Sequence, residues 1–297
     1  MSSENVLPAA LREAFGETAD PTRHVPRSRT ESILDALLAW CDEDGAGTTV
    51  AALVAPPGFG KTHLLRVLES RLGATGAAGT ANRDERSDAR RPGPTVYLPY
   101  AAVSLPELAA WIRGLIAGSP GAVRDRDAVR PGPSERAALA EIHAIAESGA
   151  GPLLLLIDDA DSMPAPTLRS LVQALPSERS PVRLVLALSD DSRAARMLAA
   201  CDRLHPFEQT LREPLDERET GNYLRARLAQ AGLGTERLDG LDAPTVRRIH
   251  ALSGGVPRRI HRVVLALLEP DRTALARALA PHPPTADWLG QPLLDPP

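Results

Sequence analysis

Residues 48–65 read TTVAALVAPPGFGKTHLL and join an apolar, β-branched run to a helical one through a turn that contains two glycines. The first eight residues predict a buried strand, and the apolar spacing after Thr62 predicts a helix. Lys61, between Gly60 and Thr62, is the only lysine of the chain, and all other basic side chains are arginines or histidines. The stretch therefore predicts a strand, a glycine turn and a helix, with one position that requires lysine.

The turn matches the phosphate-binding pattern G-x-x-x-x-G-K-[ST], with Ala55 in place of the first glycine. Glycines let the backbone N–H groups turn toward phosphates, and the start of the next helix adds partial positive charge. We expect Lys61 to reach the β- and γ-phosphates and the Thr62 hydroxyl to ligate Mg²⁺. The planar fork of arginine is too large for this loop. The predicted nucleotide-binding residues are Pro57, Gly58, Phe59, Gly60, Lys61, Thr62 and His63.

A second acidic element follows a strongly apolar run in LLLLIDDAD, residues 153–161. We expect Asp158 to hold the Mg²⁺ ion and Asp159 to orient or deprotonate the attacking water. Glutamate is the common hydrolytic residue at such a position, and aspartate is one methylene shorter. Slow hydrolysis is therefore an open alternative, as is a strand that simply ends in solvated acids.

Apolar runs alternate with amphipathic ones over the first two thirds of the chain, a pattern that indicates a parallel sheet covered by helices. We predict an α/β fold, namely a three-layer αβα P-loop domain followed by a small all-helical lid. The predicted strands are 48–55, 95–100, 153–159 and 182–188, and the predicted helices before Leu215 are 30–42, 62–73 and 136–148.

The predicted domain limits follow from composition and from the change to a purely helical pattern. Asp216 and Glu219 have the spacing of a capping box at the start of the lid, and Gly73 is a plausible end for the helix that begins at Thr62. The apolar stripe Ile260, Val263, Val264, Leu267 and Leu268 is expected to be core. The limits are an N-terminal extension 1–22, a nucleotide-binding domain 23–212 with mobile loops at about 74–94 and 118–135, a lid 213–280 and a disordered tail 281–297.

The composition of the chain indicates where the protein is located and which partners it can bind. The chain has 297 residues, a net charge of −4 and two distant cysteines. Its apolar runs are too short to span a bilayer, and its N-terminus does not resemble a signal peptide. We expect a cytoplasmic protein without a membrane contact. One local basic face, within residues 243–268, could follow a phosphate backbone or meet an acidic partner; the candidate DNA contacts are Arg247, Arg248, Arg259 and Arg262.

The order of motifs resembles that of the AAA+ ATPases, and within them the ExeA-like secretion ATPases and the TniB-like transposition helpers. After the phosphate loop and the acidic pair, the chain has VRLVLALSDD (182–191), CDRLHPF (201–207), LREPLDERE (211–219) and finally Gly255-Val-Pro-Arg258. The resemblance extends from about Val25 to about Leu268. It implies ATP and Mg²⁺ as cofactors, and a homo-oligomer or a protein partner.

The resemblance also implies roles for individual residues. Ser189 corresponds to a first sensor near the water, and Arg258 to a second sensor on the lid that touches the γ-phosphate. Val25 lies in a segment, HVPRSRTESILDALL (24–38), similar to the one that lines the adenine. Arg203 corresponds to a finger that completes a neighbouring subunit's site, although Arg193 and Arg196 compete for that role.

These observations predict an AAA+-type ATPase that binds Mg²⁺-ATP at the junction of core and lid. Binding or hydrolysis would then change the lid angle and remodel or load a partner. Two alternatives remain open. The first is a nucleotide-gated switch with slow turnover, and the second is a DNA-associated helper that resembles the transposition ATPases.

Overall fold

The computed structural model describes residues 6–42, 48–78, 93–117, 134–149, 151–175, 180–233 and 242–268. The chain divides into two compact units, which are treated separately below. The αβα unit comprises Thr18–Glu213, and the helical unit comprises Met1–Glu17 together with Pro214–Pro297. Within the described ranges, no helix combines the length and the apolar character needed to cross a membrane.

The αβα unit is built on a parallel sheet of five strands in the order β2-β3-β4-β1-β5. The central strands are buried along their whole apolar runs, because helices cover both faces of the sheet. This confirms the predicted three-layer α/β fold. The strands are β1 (Val50–Ala55), β2 (Thr95–Leu98), β3 (Leu153–Ile157), β4 (Val182–Ser189) and β5 (Phe207–Thr210).

Helices lie on the two faces of this sheet in two separate apolar clusters. One face packs against α2 and α3, and the other against α4 to α7. The buried Arg183, on β4, donates hydrogen bonds to the carbonyls of Trp40 at 2.8 Å and Cys41 at 3.1 Å, and so caps the end of α2. The bounds are α2 (Ser28–Asp42), α3 (Lys61–Ala78), α4 (Leu105–Ile116), α5 (Glu135–Glu147), α6 (Ala165–Ala174) and α7 (Ser192–Cys201).

Three features of the αβα unit differ from the sequence-based expectations. Strand β5 was not predicted, nor were helices α4, α6 and α7, and α3 continues through Gly73 to Ala78 instead of ending at the glycine. β5 is only four residues long and lacks an apolar run; its pairing with β1 defines it. Most of the two predicted mobile loops (residues 79–92 and 118–133) and all of the predicted tail lie outside the described residues.

The helical unit contains α1 (Val6–Phe15), α8 (Glu217–Gln230), α9 (Ala243–Ser253) and α10 (Pro257–Leu268). The predicted capping box is present at the start of α8, where Asp216 and Glu219 exchange side chain to backbone hydrogen bonds. On α10 the predicted stripe is only partly correct. Ile260, Val263 and Val264 are buried, but Leu267 is 41% exposed, whereas its neighbour Ala266 is buried. The side chain of Leu268 lies outside the described residues.

Helix α1 belongs to the core of the helical unit, although the sequence had indicated only an N-terminal extension there. Ala14 and Phe15 are buried. The rings of Phe15 and His261 pack in a T-shaped arrangement, with their centres 5.5 Å apart. The buried Arg227 donates from Nε to the Ala14 carbonyl at 2.9 Å. Residues near the two ends of the described chain therefore complete one apolar cluster.

Candidate functional site

The glycine turn between β1 and α3 has the backbone of a phosphate cradle. Gly58 and Gly60 both have positive φ, 88° and 96°, a region that glycine enters without the cost of a Cβ. Helix α3 begins directly afterwards at Lys61, so its first N–H groups face the turn. A Cβ added at Gly60 would meet no heavy atom within 4 Å. The positive φ, rather than crowding by neighbouring atoms, is therefore what favours glycine at this position.

Lys61 is held at the base of this turn. Its side chain is buried, with 8% exposure, and Nζ donates a hydrogen bond to the carbonyl of Ala55 at 2.8 Å. This contact folds the side chain back along the turn and places a compact positive charge beside the two glycines. An ammonium group has three donors and can keep this bond while it contacts a phosphate.

Asp158 follows β3 at the carboxyl edge of the sheet and is 4% exposed. Both of its oxygens accept hydrogen bonds. Oδ2 accepts from the Tyr97 hydroxyl at 3.1 Å, and Oδ1 accepts from the backbone N–H of Asp159 at 3.0 Å. Burial raises the pKa of the Tyr97 phenol, and the adjacent Asp158 carboxylate raises it further. Tyr97 therefore remains a protonated donor at physiological pH.

Asp159 has an unusual backbone conformation for a residue other than glycine. Its φ and ψ are 43° and 42°, in the left-handed region, which aspartate enters more readily than most side chains do. Its carbonyl accepts from the backbone N–H of Ser162 at 2.9 Å and from its hydroxyl at 2.7 Å. Its side chain is exposed. The residue predicted to handle water thus lies at the same sheet edge as Asp158.

Ser189 ends β4, the strand that lies between β1 and β3. In the register of the parallel ladder it pairs with Ala55, the residue that leads into the glycine turn. The structure therefore brings the glycine turn, Ser189 and Asp158 together at one edge of the sheet, as expected for the carboxyl ends of neighbouring parallel strands.

Val25 lies in the segment that precedes α2, and this segment contacts the first turn of α3. The rings of His24 and His63 stack with centroids 5.4 Å apart, and His24 Nδ1 lies 3.3 Å from His63 Nε2. The other nitrogen of His24 lies 2.7 Å from a Glu31 oxygen, and Arg71 donates to the second Glu31 oxygen at 2.7 Å. Burial raises the pKa of Glu31, but the hydrogen bonds outweigh it and leave that pKa below its usual value.

Arg203 lies elsewhere in the αβα unit. Its guanidinium donates to the carbonyl of Val172 near the end of α6, and it lines a cavity together with Pro181. Pro181 precedes β4, so Arg203 lies toward the amino edge of the sheet, away from the glycine turn. The competing candidates Arg193 and Arg196 are exposed on α7, which follows the carboxyl end of β4. The assignment of the finger role to Arg203 stays a prediction.

Arg258 is the second residue of α10, in the helical unit, and is exposed. Its Nε lies 3.9 Å from a carboxylate oxygen of Glu17, and Arg262 Nη2 lies 3.9 Å from the same oxygen. The sequence from 243 to 268 contains no acidic residue, but the fold brings Glu17 to this basic face. The sensor role of Arg258 stays a prediction.

The residues at the carboxyl edge fit a magnesium–nucleotide complex. The backbone of the glycine turn and the buried Lys61 ammonium suit phosphate oxygens. A threonine hydroxyl and a buried carboxylate, from Thr62 and Asp158, are oxygen ligands of the kind that Mg²⁺ takes alongside water and phosphate. When bound, the ion would neutralise negative charge on the phosphates.

Sequence reasoning missed two side chains at this edge. Tyr97 contacts Asp158 only through the pairing of β2 with β3, and nothing in TVYLPY indicated that contact. Arg212, which follows β5, makes two hydrogen bonds to Asp190, from Nε at 2.8 Å and from Nη2 at 2.9 Å. Arg212 stood in the LREPLDERE motif, but its partner follows another strand and was not visible in the sequence.

A phosphate turn that follows a central strand of a parallel sheet, with an acidic residue two strands away, defines a P-loop ATPase of the AAA+ type. Comparison with known families agrees with this class. A family model described as an AAA domain matches residues 44–196, just over half of the chain. The chain belongs to the AAA domain family.

Solved structures share the fold at low sequence identity. Cdc6p from Pyrobaculum aerophilum has a TM-score of 0.54 and 18% identity, over 89% of this chain and 65% of that one. The Aeropyrum pernix ORC2 protein in its ADP form has a TM-score of 0.55 and 16% identity, over 90% of this chain and 72% of the ORC2 chain. This chain thus corresponds to slightly less than two thirds of Cdc6p. No curated protein matched the sequence.

Proposed function

We propose that this protein is an ATPase that binds Mg²⁺-ATP at the glycine turn and uses binding and hydrolysis to remodel or load a partner. The observation that carries the proposal is the buried Lys61 ammonium, anchored to the Ala55 carbonyl within a turn whose two glycines have positive φ. Asp158 and Ser189 at the same edge support the assignment. In this proposal Thr62 and Asp158 hold the ion, and Asp159 orients or deprotonates the water.

The other predicted roles belong to the same proposal. Val25 would line the adenine, Ser189 and Arg258 would respond to the γ-phosphate, and Arg203 would act on the site of a neighbouring subunit in an oligomer. Membership of the ExeA-like and TniB-like branch is part of the proposal too, and the Gly255-Val-Pro-Arg258 motif at the start of α10 supports it. A cytoplasmic location is proposed from composition alone.

The test is ATP turnover by the purified 297-residue chain in the presence of Mg²⁺, with Lys61→Ala as the matched blank. We expect turnover that falls at least about a hundredfold in the variant, because a positive charge beside the transferring phosphate is lost. If neither turnover nor ATP binding is detected in the wild type, the proposal is wrong.

A nucleotide-gated switch is the second candidate, and the Asp158–Asp159 pair favours it. The Asp159 carboxylate is one methylene shorter than that of the glutamate common at this position, so hydrolysis would be slow. In the same experiment this candidate predicts tight, Lys61-dependent ATP binding with little turnover.

A DNA-associated helper is the third candidate, and it rests on the exposed arginines of the helical unit. Arg247 and Arg248 are exposed on α9, and Arg259 is exposed on α10. Such a face could contact the phosphates of duplex DNA without reading its sequence. Stimulation of ATP turnover by duplex DNA would favour this candidate over the other two.

The double variant Arg247→Ala/Arg248→Ala tests the DNA candidate directly. We expect the slope of log affinity against log salt to become shallower by about 2, since each lost phosphate contact contributes roughly 0.9. Fluorescence anisotropy with a labelled duplex at several salt concentrations measures this slope. Arg218→Ala/Arg225→Ala, which removes two exposed arginines from α8, is the matched control. Equal slopes in both double variants would contradict DNA contact through α9.

A further inference from the structure

The acidic side chain at the end of β3 is oriented by a residue from the neighbouring strand. Tyr97 lies on β2, which pairs with β3 in parallel register. Its hydroxyl donates to Oδ2 of Asp158 at 3.1 Å, while the Asp159 N–H donates to Oδ1 at 3.0 Å. With one donor on each oxygen, the plane of the carboxylate is fixed. Each oxygen still has a second lone pair with which it can accept from another group or bind a cation.

The Tyr97 ring is itself held from the side of α3. The guanidinium carbon of Arg66 lies 4.6 Å from the centre of the ring, within the range of a cation–π contact. Arg66 also pairs with Glu69 at 2.6 Å on the same helix. Since Arg66 follows Thr62 by four residues, the two side chains lie on the same face of α3. The ring therefore lies between the helix that carries Thr62 and the carboxylate of Asp158.

We propose that Tyr97 is a positioning residue that holds the Asp158 carboxylate in the orientation required for Mg²⁺-nucleotide binding, and that Arg66 holds Tyr97. This inference rests on the proposed function, because it assigns Tyr97 to the same site. Without the hydroxyl, rotation of the Asp158 side chain is restrained by one hydrogen bond fewer. Binding of the ion then carries the entropic cost of fixing that rotation, whereas phosphate binding by Lys61 and the glycine turn is unaffected.

The variant Tyr97→Phe removes the hydroxyl and keeps the ring under Arg66. The measurement is the affinity of a fluorescent ATP analogue, titrated first in EDTA and then at increasing Mg²⁺ concentration, so that it does not depend on turnover. We expect the half-saturating Mg²⁺ concentration to rise about five- to tenfold, the size of one typical lost hydrogen bond. The affinity in EDTA should change less than about twofold.

Two further variants complete the test. Tyr223→Phe removes a hydroxyl that lies 2.7 Å from His261 in the helical unit, and it should leave both affinities unchanged. Asp158→Asn should raise the Mg²⁺ requirement more than Tyr97→Phe does. If Asp158→Asn has its effect and Tyr97→Phe has none, the positioning role is wrong and the proposed function stands.

Two other results would also overturn the inference. An equal loss of affinity with and without Mg²⁺ in Tyr97→Phe would indicate general damage to the site rather than positioning of one carboxylate. If Asp158→Asn has no effect on the Mg²⁺ requirement, then the assignment of Asp158 to the ion fails, and the role of Tyr97 fails with it.

Discussion

Replacement of the single lysine by arginine, Lys61→Arg, is expected to weaken ATP binding at least about a hundredfold, equivalent to about 2.7 kcal/mol. The positive charge is kept in this variant, so the loss would come from shape. Lys61 is buried, and its Nζ reaches the Ala55 carbonyl at 2.8 Å inside the turn. A planar guanidinium needs more room than an ammonium and cannot turn its donors independently.

Titration of a fluorescent ATP analogue measures this loss, and thermal unfolding shows whether the variant remains folded. Lys61→Ala, which removes the charge as well, should bind no more tightly than Lys61→Arg. The control is the exposed Arg113→Lys on α4, where Arg113 pairs with Glu141; it should bind ATP like the wild type. Binding within about tenfold of the wild type by Lys61→Arg would mean that charge alone matters at this position.

Substitution of Gly255 is expected to cause the largest loss of stability. In the Gly255→Ala variant the added Cβ would lie 2.0 Å from the carbonyl oxygen and 2.9 Å from the carbonyl carbon of Leu215. The same two residues are joined by a hydrogen bond from Leu215 N–H to the Gly255 carbonyl at 2.9 Å. Because the backbone must move to relieve this overlap, we expect the free energy of unfolding of the helical unit to fall by at least about 3 kcal/mol.

The neighbouring glycine provides the matched control. Gly254 also has positive φ, 61° against 70° for Gly255, but a Cβ there would meet no atom within 4 Å. Gly254→Ala should therefore lower the free energy of unfolding by only about 1–2 kcal/mol, the cost of holding an alanine in the left-handed conformation. Urea unfolding followed by circular dichroism measures both variants, with the two units analysed as separate transitions. Similar losses in the two variants would show that the contact with Leu215 is not what requires glycine.

Local chemistry made the phosphate loop predictable, because Gly58, Gly60 and Lys61 carry their function within a few residues of sequence. The meeting of Asp158 and Ser189 at one edge was also predictable, because parallel strands place their carboxyl ends together. Tyr97 was not, since its contact with Asp158 depends on which strands are neighbours. The same limit applies to β5, which is defined by its pairing with β1 rather than by its own residues.

In the helical unit, even more of the packing depends on contacts between residues far apart in the sequence. Capping residues and apolar periodicity made the helices of the lid predictable. Helix α1 and Glu17 belong to the same unit but lie more than 190 residues earlier in the chain, so no local pattern indicated that they pack there. Leu267 was assigned to the core because its spacing fits a helical stripe. Which residues on α10 are covered depends on the partner helices, and a single helix does not encode that choice.

The place of α1 has a consequence for synthesis on the ribosome. Helix α1 emerges before the αβα unit, but Arg227, which donates to the Ala14 carbonyl, is 213 residues further along the chain. The αβα unit, encoded between them, can fold while α1 still lacks its packing partners, because domains generally fold as units during translation. Burial of Phe15 must await the synthesis of α8 and α10, so its protection from proteolysis in ribosome-bound chains would report that the helical unit has been completed.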